Sequence, residues 1–216
     1  MSSMLKKNFL DALHRANFNK IINYVLNICE LVVEDYQQKK LKMPNDENKI
    51  RSIVLEEYLT KQKKAYGMSN YRFEPEALEN YVGEGKHIGR VDIRILLKSA
   101  FEKEEAYYII ECKRIDGTSE LNKQYVKGGV ARFVTQKYSS YYGRNLMLGF
   151  VVKRIDVSAN AQAIEKIQNV DSDEKMHGDF ELVTEGGITK SYKCLYQIQS
   201  GELELRHIFS DYSSII

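Results

Sequence analysis

The stretch Tyr107-Tyr-Ile-Ile-Glu-Cys-Lys-Arg-Ile115 constrains this chain most, because it has the composition of a buried β-strand yet carries charges inside it. Isoleucine and tyrosine dominate it, the residue types that suit a pleated, packed surface. Residues i and i+2 of a strand project from one face about 7 Å apart, so Glu111 and Lys113 point together while Ile110 and Cys112 point the other way. A carboxylate and an ammonium thus share one small surface. The plain alternative is a surface ion pair.

Upstream, Gly89-Arg-Val-Asp-Ile-Arg-Ile-Leu-Leu97 reads as a second apolar strand with one carboxylate, Asp92, between Val91 and Ile93. Ser99 to Glu105 is a charged connection short enough for a hairpin, which makes the two strands antiparallel neighbours and brings Asp92, Glu111 and Lys113 to one point. The acid-x-Lys triplets Glu47-Asn-Lys49 and Asp173-Glu-Lys175, for example, lack this setting: neither lies in an apolar strand preceded by another strand with its own carboxylate.

With 216 residues the chain has room for one substantial core, and a single domain over 1–216 is the expectation. Only two prolines occur, and no long Gly/Ser/Pro tract, so the composition is that of an ordered protein. A net charge of +2 does not announce a polyanion partner, so any nucleic-acid surface must be a local patch. Cys29, Cys112 and Cys194 lie far apart among apolar residues, a spacing that suits core thiols rather than a zinc cluster or disulfide framework. No apolar run approaches a membrane span, and a cytoplasmic location without membrane contact is expected.

Helical patterns cover 4–16 and 18–36. In the second, Ile21, Val25, Ile28 and Val32, widened by Ile22, Cys29 and Val33, form an apolar stripe suited to the core or to a homodimer contact. Pro44 and Asn45-Asp46 mark a break before a helix over 46–64, where Ile50, Val54 and Tyr58 share a face. Glu47 leads that face. It is either a first-turn carboxylate favoured by the helix dipole or a site acid, with Glu56 and Glu57 as weaker alternatives. Tyr71-Arg-Phe-Glu-Pro75 reads as a short strand, followed by a polar loop containing Gly83, Glu84, Gly85, Lys86 and His87.

After Asp116-Gly117-Thr-Ser, a turn, a helix is expected over 120–141. From Lys113 to Arg144 seven basic residues face two acids, with Tyr125, Tyr138, Tyr141 and Tyr142 interleaved. Arg132 and Gln136, one turn apart, and Lys137 suit a phosphate backbone, although such a helix is also simply a solvated face. Asn145–Val152 has the continuous apolar character of a central strand, and 157–169 that of a helix with Ala161, Ile164 and Ile167 inward. An acidic loop (Asp171, Asp173, Glu174) and two alternating strands, 191–199 and 202–210, close the chain. His177 and His207 read as structural or solvated.

The order of these elements, with G-R-V-D and then I-I-E-C-K and eighteen residues between Asp92 and Glu111, resembles the PD-(D/E)XK nuclease superfamily, the restriction-endonuclease-like fold. Val91 stands where that family usually has proline. The resemblance covers residues 45–155. It implies an α/β (α+β) fold in which helices flank a mixed central sheet: an α-β-β-β-α-β core over 45–170, a helical extension over 1–40 and a C-terminal hairpin over 171–216. It further implies a magnesium-dependent DNA endonuclease of bacterial or phage restriction and defence type, with manganese as a substitute ion and RNA as an alternative substrate. Asp92, Glu111 and Lys113 would be catalytic. Asp92, Glu111, the Cys112 carbonyl and Glu47 would hold metal, and Arg132, Gln136 and Lys137 the substrate. The reading from a different class is a non-catalytic module that binds nucleic acid or a protein partner.

Overall fold

The computed structural model describes residues 3–76, 78–81, 87–100, 103, 105–170 and 176–216. Most of loop 83–87 and the acids Asp171, Asp173 and Glu174 lie outside them, and of His87 only the backbone is described.

The chain begins with α1 (Ser3–Gln38), 36 residues without a break. Two helices over 4–16 and 18–36 are therefore one, as no proline or glycine interrupts residues 3–38. Its stripe, Ile21, Ile22, Val25, Ile28, Cys29, Val32 and Val33, is buried in this chain's own core. The second helix, α2 (Glu47–Ile53), is capped by the Asp46 carboxylate, which accepts the Lys49 amide at 2.9 Å. It widens into a π turn over Val54–Leu59, where the Thr60 amide reaches back to the Leu55 carbonyl. The helix expected to run to 64 thus ends at 59, with a 3₁₀ turn at Gln62–Lys64.

Strands β1 (Tyr71–Pro75), β2 (Leu78–Tyr81), β3 (His87–Arg90), β4 (Ile93–Leu97) and β5 (Tyr107–Ile115) follow. The strand expected over 89–97 is split: β3 pairs with β2 in a separate two-stranded sheet, and Asp92 occupies the bend before β4. Next come α3 (Ser119–Tyr125), a π turn over Val126–Val130 and α4 (Ala131–Val134), then β6 (Arg144–Val151), α5 (Val157–Val170), β7 (Glu181–Gly186), β8 (Thr189–Ile198) and β9 (Gly201–Asp211).

Seven strands form one mixed sheet in the order β1-β4-β5-β6-β9-β8-β7, with helices on both faces. β4 and β5 are antiparallel, as the short connection requires, while β5, β6 and β9 run parallel. Every residue of β6 is buried, which its continuous apolar run demands of a strand covered on both faces. The C-terminal strands extend this sheet, β9 lying directly against β6, and they are joined by an edge strand, β7, that periodicity did not mark. α1 and α2 cover one face; α3, α4 and α5 cover the other.

Candidate active site

The site forms where β4 leaves β5. Their pairing ends at Ile93↔Ile110, so the edge of β5 beyond Ile110 has no neighbouring strand on that side. Backbone groups of Cys112 and Arg114 face that edge, and a buried amide needs an acceptor. Two carboxylates supply one each: Asp92 Oδ2 accepts the Cys112 amide at 2.8 Å, and Glu47 Oε2 accepts the Arg114 amide at 2.9 Å. The chain's bend at Asp92 and the first turn of α2 are thereby fastened to one strand edge.

Glu111 is fully buried on the face covered by α3 and α4. Its Oε1 accepts from Lys113 Nζ at 2.8 Å and Arg132 Nη1 at 2.9 Å, while its Oε2 is buried with no hydrogen-bond partner. Burial first, and then the nearby Asp92 carboxylate, pushes the Glu111 carboxyl up to about 7. Lys113 also donates to the Cys112 carbonyl at 2.8 Å and lies 3.5 Å from Glu47 Oε1. Its burial works against the ammonium, but Glu111, Asp92 and Glu47 outweigh that and hold it above the usual lysine range. Gly128 and Gly129 pass over the lysine stem. A Cβ on Gly129 would come within 2.5 Å of Met147 Cε, the end of a flexible side chain that would have to move aside.

Asp92, Glu111, Lys113, Cys112 and Glu47, all singled out from sequence, are therefore brought together. Arg132 joins them in a different position from the expected one. Its guanidinium is taken up by Glu111 and by the Tyr138 hydroxyl, which donates onward to the Arg90 carbonyl at 2.7 Å. Gln136 does not share a helical face with it. α4 ends at Val134 and Gln136 has φ of 58°, a left-handed residue that turns the chain away, so neither Gln136 nor Lys137 reaches the groove beside Lys113.

Two participants, Arg51 and Glu76, were not marked by sequence reasoning, and Tyr138 was marked only as one of the aromatics interleaved among the charges. Arg51 donates to Asp92 Oδ1 at 2.5 Å and to Glu76 Oε1 at 2.5 Å, and Arg90 holds the other Glu76 oxygen at 2.8 Å. Glu76 adopts φ of 44°, and its amide donates to the Asp92 carbonyl at 3.0 Å. Tyr138 fixes Arg132. Arg51 had a signal: it lies four residues after Glu47, next to Ile50 on an otherwise apolar stripe. Glu56 and Glu57 are exposed and outside the cluster.

Beside the cluster runs a groove of about 580 Å³ between α2 and α3, lined among others by Glu47, Lys113, Lys123, Lys127 and Arg132. Lys113 and Arg132 separate it from Glu111. Among the described residues, no three His, Cys, Asp or Glu side chains stand together as a ready metal cage. The donor chemistry nevertheless fits a hard divalent cation: Glu111 Oε2 is an unpartnered buried oxygen, Asp92 is its electrostatic neighbour, and the Cys112 carbonyl lies on the same edge. The three cysteines are buried free thiols, His177 is exposed, and no helix among the described residues is long and apolar enough to cross a membrane.

Compared with protein-family models, curated proteins and solved structures, the chain matches none.

Proposed function

We propose that this protein is a divalent-metal-dependent nuclease with a restriction-endonuclease-like core, hydrolysing phosphodiester bonds in DNA. The observation that carries the reading is the edge of β5, where Asp92, Glu111, Lys113 and Glu47 surround the Cys112 peptide and one buried carboxylate oxygen lacks a partner. Asp92, Glu111 and the Cys112 carbonyl would hold magnesium or manganese. When bound, such an ion supplies an activated water and positive charge for the phosphoryl oxygens.

The chain's own groups divide the remaining work. Lys113 keeps its proton, so it acts as a fixed positive charge beside the phosphoryl group and not as a base. Glu111 and the Cys112 carbonyl hold its ammonium in place. Arg132 keeps Glu111 oriented, and Glu47 ties α2 to the strand edge beside Lys113.

Single-turnover cleavage of supercoiled plasmid, single-stranded DNA and RNA with magnesium, manganese or calcium tests this. Lys113→Ala should cut metal-dependent cleavage by about 10²-fold or more, the order expected for one missing transition-state charge, and Asp92→Ala should abolish both cleavage and metal binding. Full activity in Lys113→Ala would sink the mechanism. One observation favours a second reading, a non-catalytic module for nucleic acid or a protein partner: Asp92 already carries Arg51, and Glu111 already carries Lys113 and Arg132. Absence of cleavage by the wild type on every substrate would select it.

A further inference from the structure

The groove beside Lys113 is lined by four cations, and they are not equivalent. Lys113 and Arg132 are both committed to Glu111. Lys123 and Lys127 are exposed, and among the described residues neither has an ion-pair or hydrogen-bond partner. They are four residues apart on one side of the helical segment, so their ammonium groups follow one another along the same wall. Neither acid of the lining pairs with them: Glu47 accepts the Arg114 amide and lies 3.5 Å from Lys113, and Glu120 accepts from Gln124 Nε2 at 3.0 Å, so four cations against two acids leave the lining net positive.

We propose that Lys123 and Lys127 are the phosphate-binding residues of this groove, holding the backbone of a DNA duplex so that one phosphodiester comes to rest at Lys113. The assignment rests on the nuclease reading above and replaces the one that sequence alone suggested, in which Arg132, Gln136 and Lys137 grip the substrate. Two free ammonium groups on one wall suit successive phosphates. Among the described residues no aromatic ring lines the groove, so unpaired bases would find nothing there to stack on, which favours backbone recognition of a duplex.

The test is the salt dependence of duplex binding, measured by fluorescence anisotropy in EDTA so that cleavage plays no part. Every phosphate that the protein no longer neutralises lowers the slope of log K against log salt by about 0.9, so Lys123→Gln with Lys127→Gln should flatten it by roughly 1.8. Lys64→Gln with Lys166→Gln, two exposed lysines outside the groove, should leave the slope unchanged. Both double variants should keep the wild-type fold by circular dichroism, because all four lysines are exposed. An unchanged slope in the groove variant overturns this inference while leaving the nuclease reading to its cleavage assay. Equal flattening in both variants overturns it too, as does tighter binding of a single strand or an RNA duplex than of the DNA duplex. A wild type that binds no nucleic acid at low salt removes this inference and the nuclease reading together.

Discussion

Glu111 and His207 lie on one row of the sheet, separated only by Met147, which pairs with Glu111 on one side and with His207 on the other. Both are fully buried on the same face. Burial drives each toward its neutral form, the carboxyl up to about 7 and the imidazole down to about 3. Their surroundings nevertheless differ. His207 is met by neutral partners, the Tyr125 hydroxyl at 2.9 Å and the Tyr196 hydroxyl at 3.5 Å, with the Phe180 ring centroid 4.3 Å away. That network continues through the Tyr196 hydroxyl to Gln168 at 3.0 Å. Glu111 is met by two cations that line an open groove, and one of its oxygens is left without a partner. A neutral polar group can be satisfied entirely inside a core, whereas a carboxylate beside another carboxylate stays charged only where cations are brought to it. The first arrangement is structural. The second leaves one buried carboxylate oxygen unpaired directly behind two cations that line a groove, and an unpaired buried oxygen next to a cleft marks where a functional site is sought.

The largest expected effect separates the two by activity. On the nuclease reading proposed above, Glu111→Gln should lower metal-dependent cleavage by about 10²-fold or more, the loss expected when an essential electrostatic group is removed, while His207→Phe should leave the rate constant of the folded protein close to wild type. Single-turnover kinetics on material of verified fold makes the comparison. Equal losses in both variants would erase the distinction.

Acid stability should separate them next, with opposite signs. His207 has a folded pKa below its unfolded value of 6.5, so the unfolded state binds the extra proton, and the stability it contributes is complete above 6.5 and is lost as pH falls toward about 3. Replacing it with Gln should flatten that acid loss by a few kcal/mol, read from urea unfolding at a series of pH values. Glu111 runs the other way. Its folded pKa lies above the ordinary 4.5, so the folded state binds the extra proton, and the contribution is complete below 4.5 and lost as pH rises through about 7. Glu111→Gln should therefore gain on the wild type between those two values, by about 3 kcal/mol at most. A difference that does not change with pH would show that Glu111 is ionised throughout.

A smaller effect probes a separate neutral pair on the same side of the sheet. Asn122 and Asn160 exchange two side-chain hydrogen bonds, at 2.8 and 3.1 Å, in the buried contact between α3 and α5. Asn122→Ala leaves Asn160 unpartnered and should cost about 1–3 kcal/mol without changing cleavage. The smallest effect is at the surface: Lys61→Ala removes an exposed ion pair with Glu57 one helical turn away and should cost well under about 1 kcal/mol in thermal unfolding.

The sequence determined what depends on near neighbours. The apolar runs of β5 and β6, the buried stripes of α1 and α5, the turn at Asp116-Gly117 and the trio Asp92, Glu111 and Lys113 were all legible, although Asp92 sits in a bend and not in the strand expected for it, because side-chain period and turn chemistry act over a few residues. Tertiary structure alone decided which charge meets which. Arg51 finds Asp92 across 41 positions of sequence and Arg132 finds Glu111 across 21, and no periodicity encodes either pairing. The same holds for β9, whose alternating pattern gave no sign that it would enter the sheet parallel to β6, since strand order follows from which packed arrangement buries both faces. At Gln136 one left-handed residue ended a helix that the charge pattern carried on to 141, because propensity summed along a window is weaker than the tertiary fit of the segment that closes over Lys113.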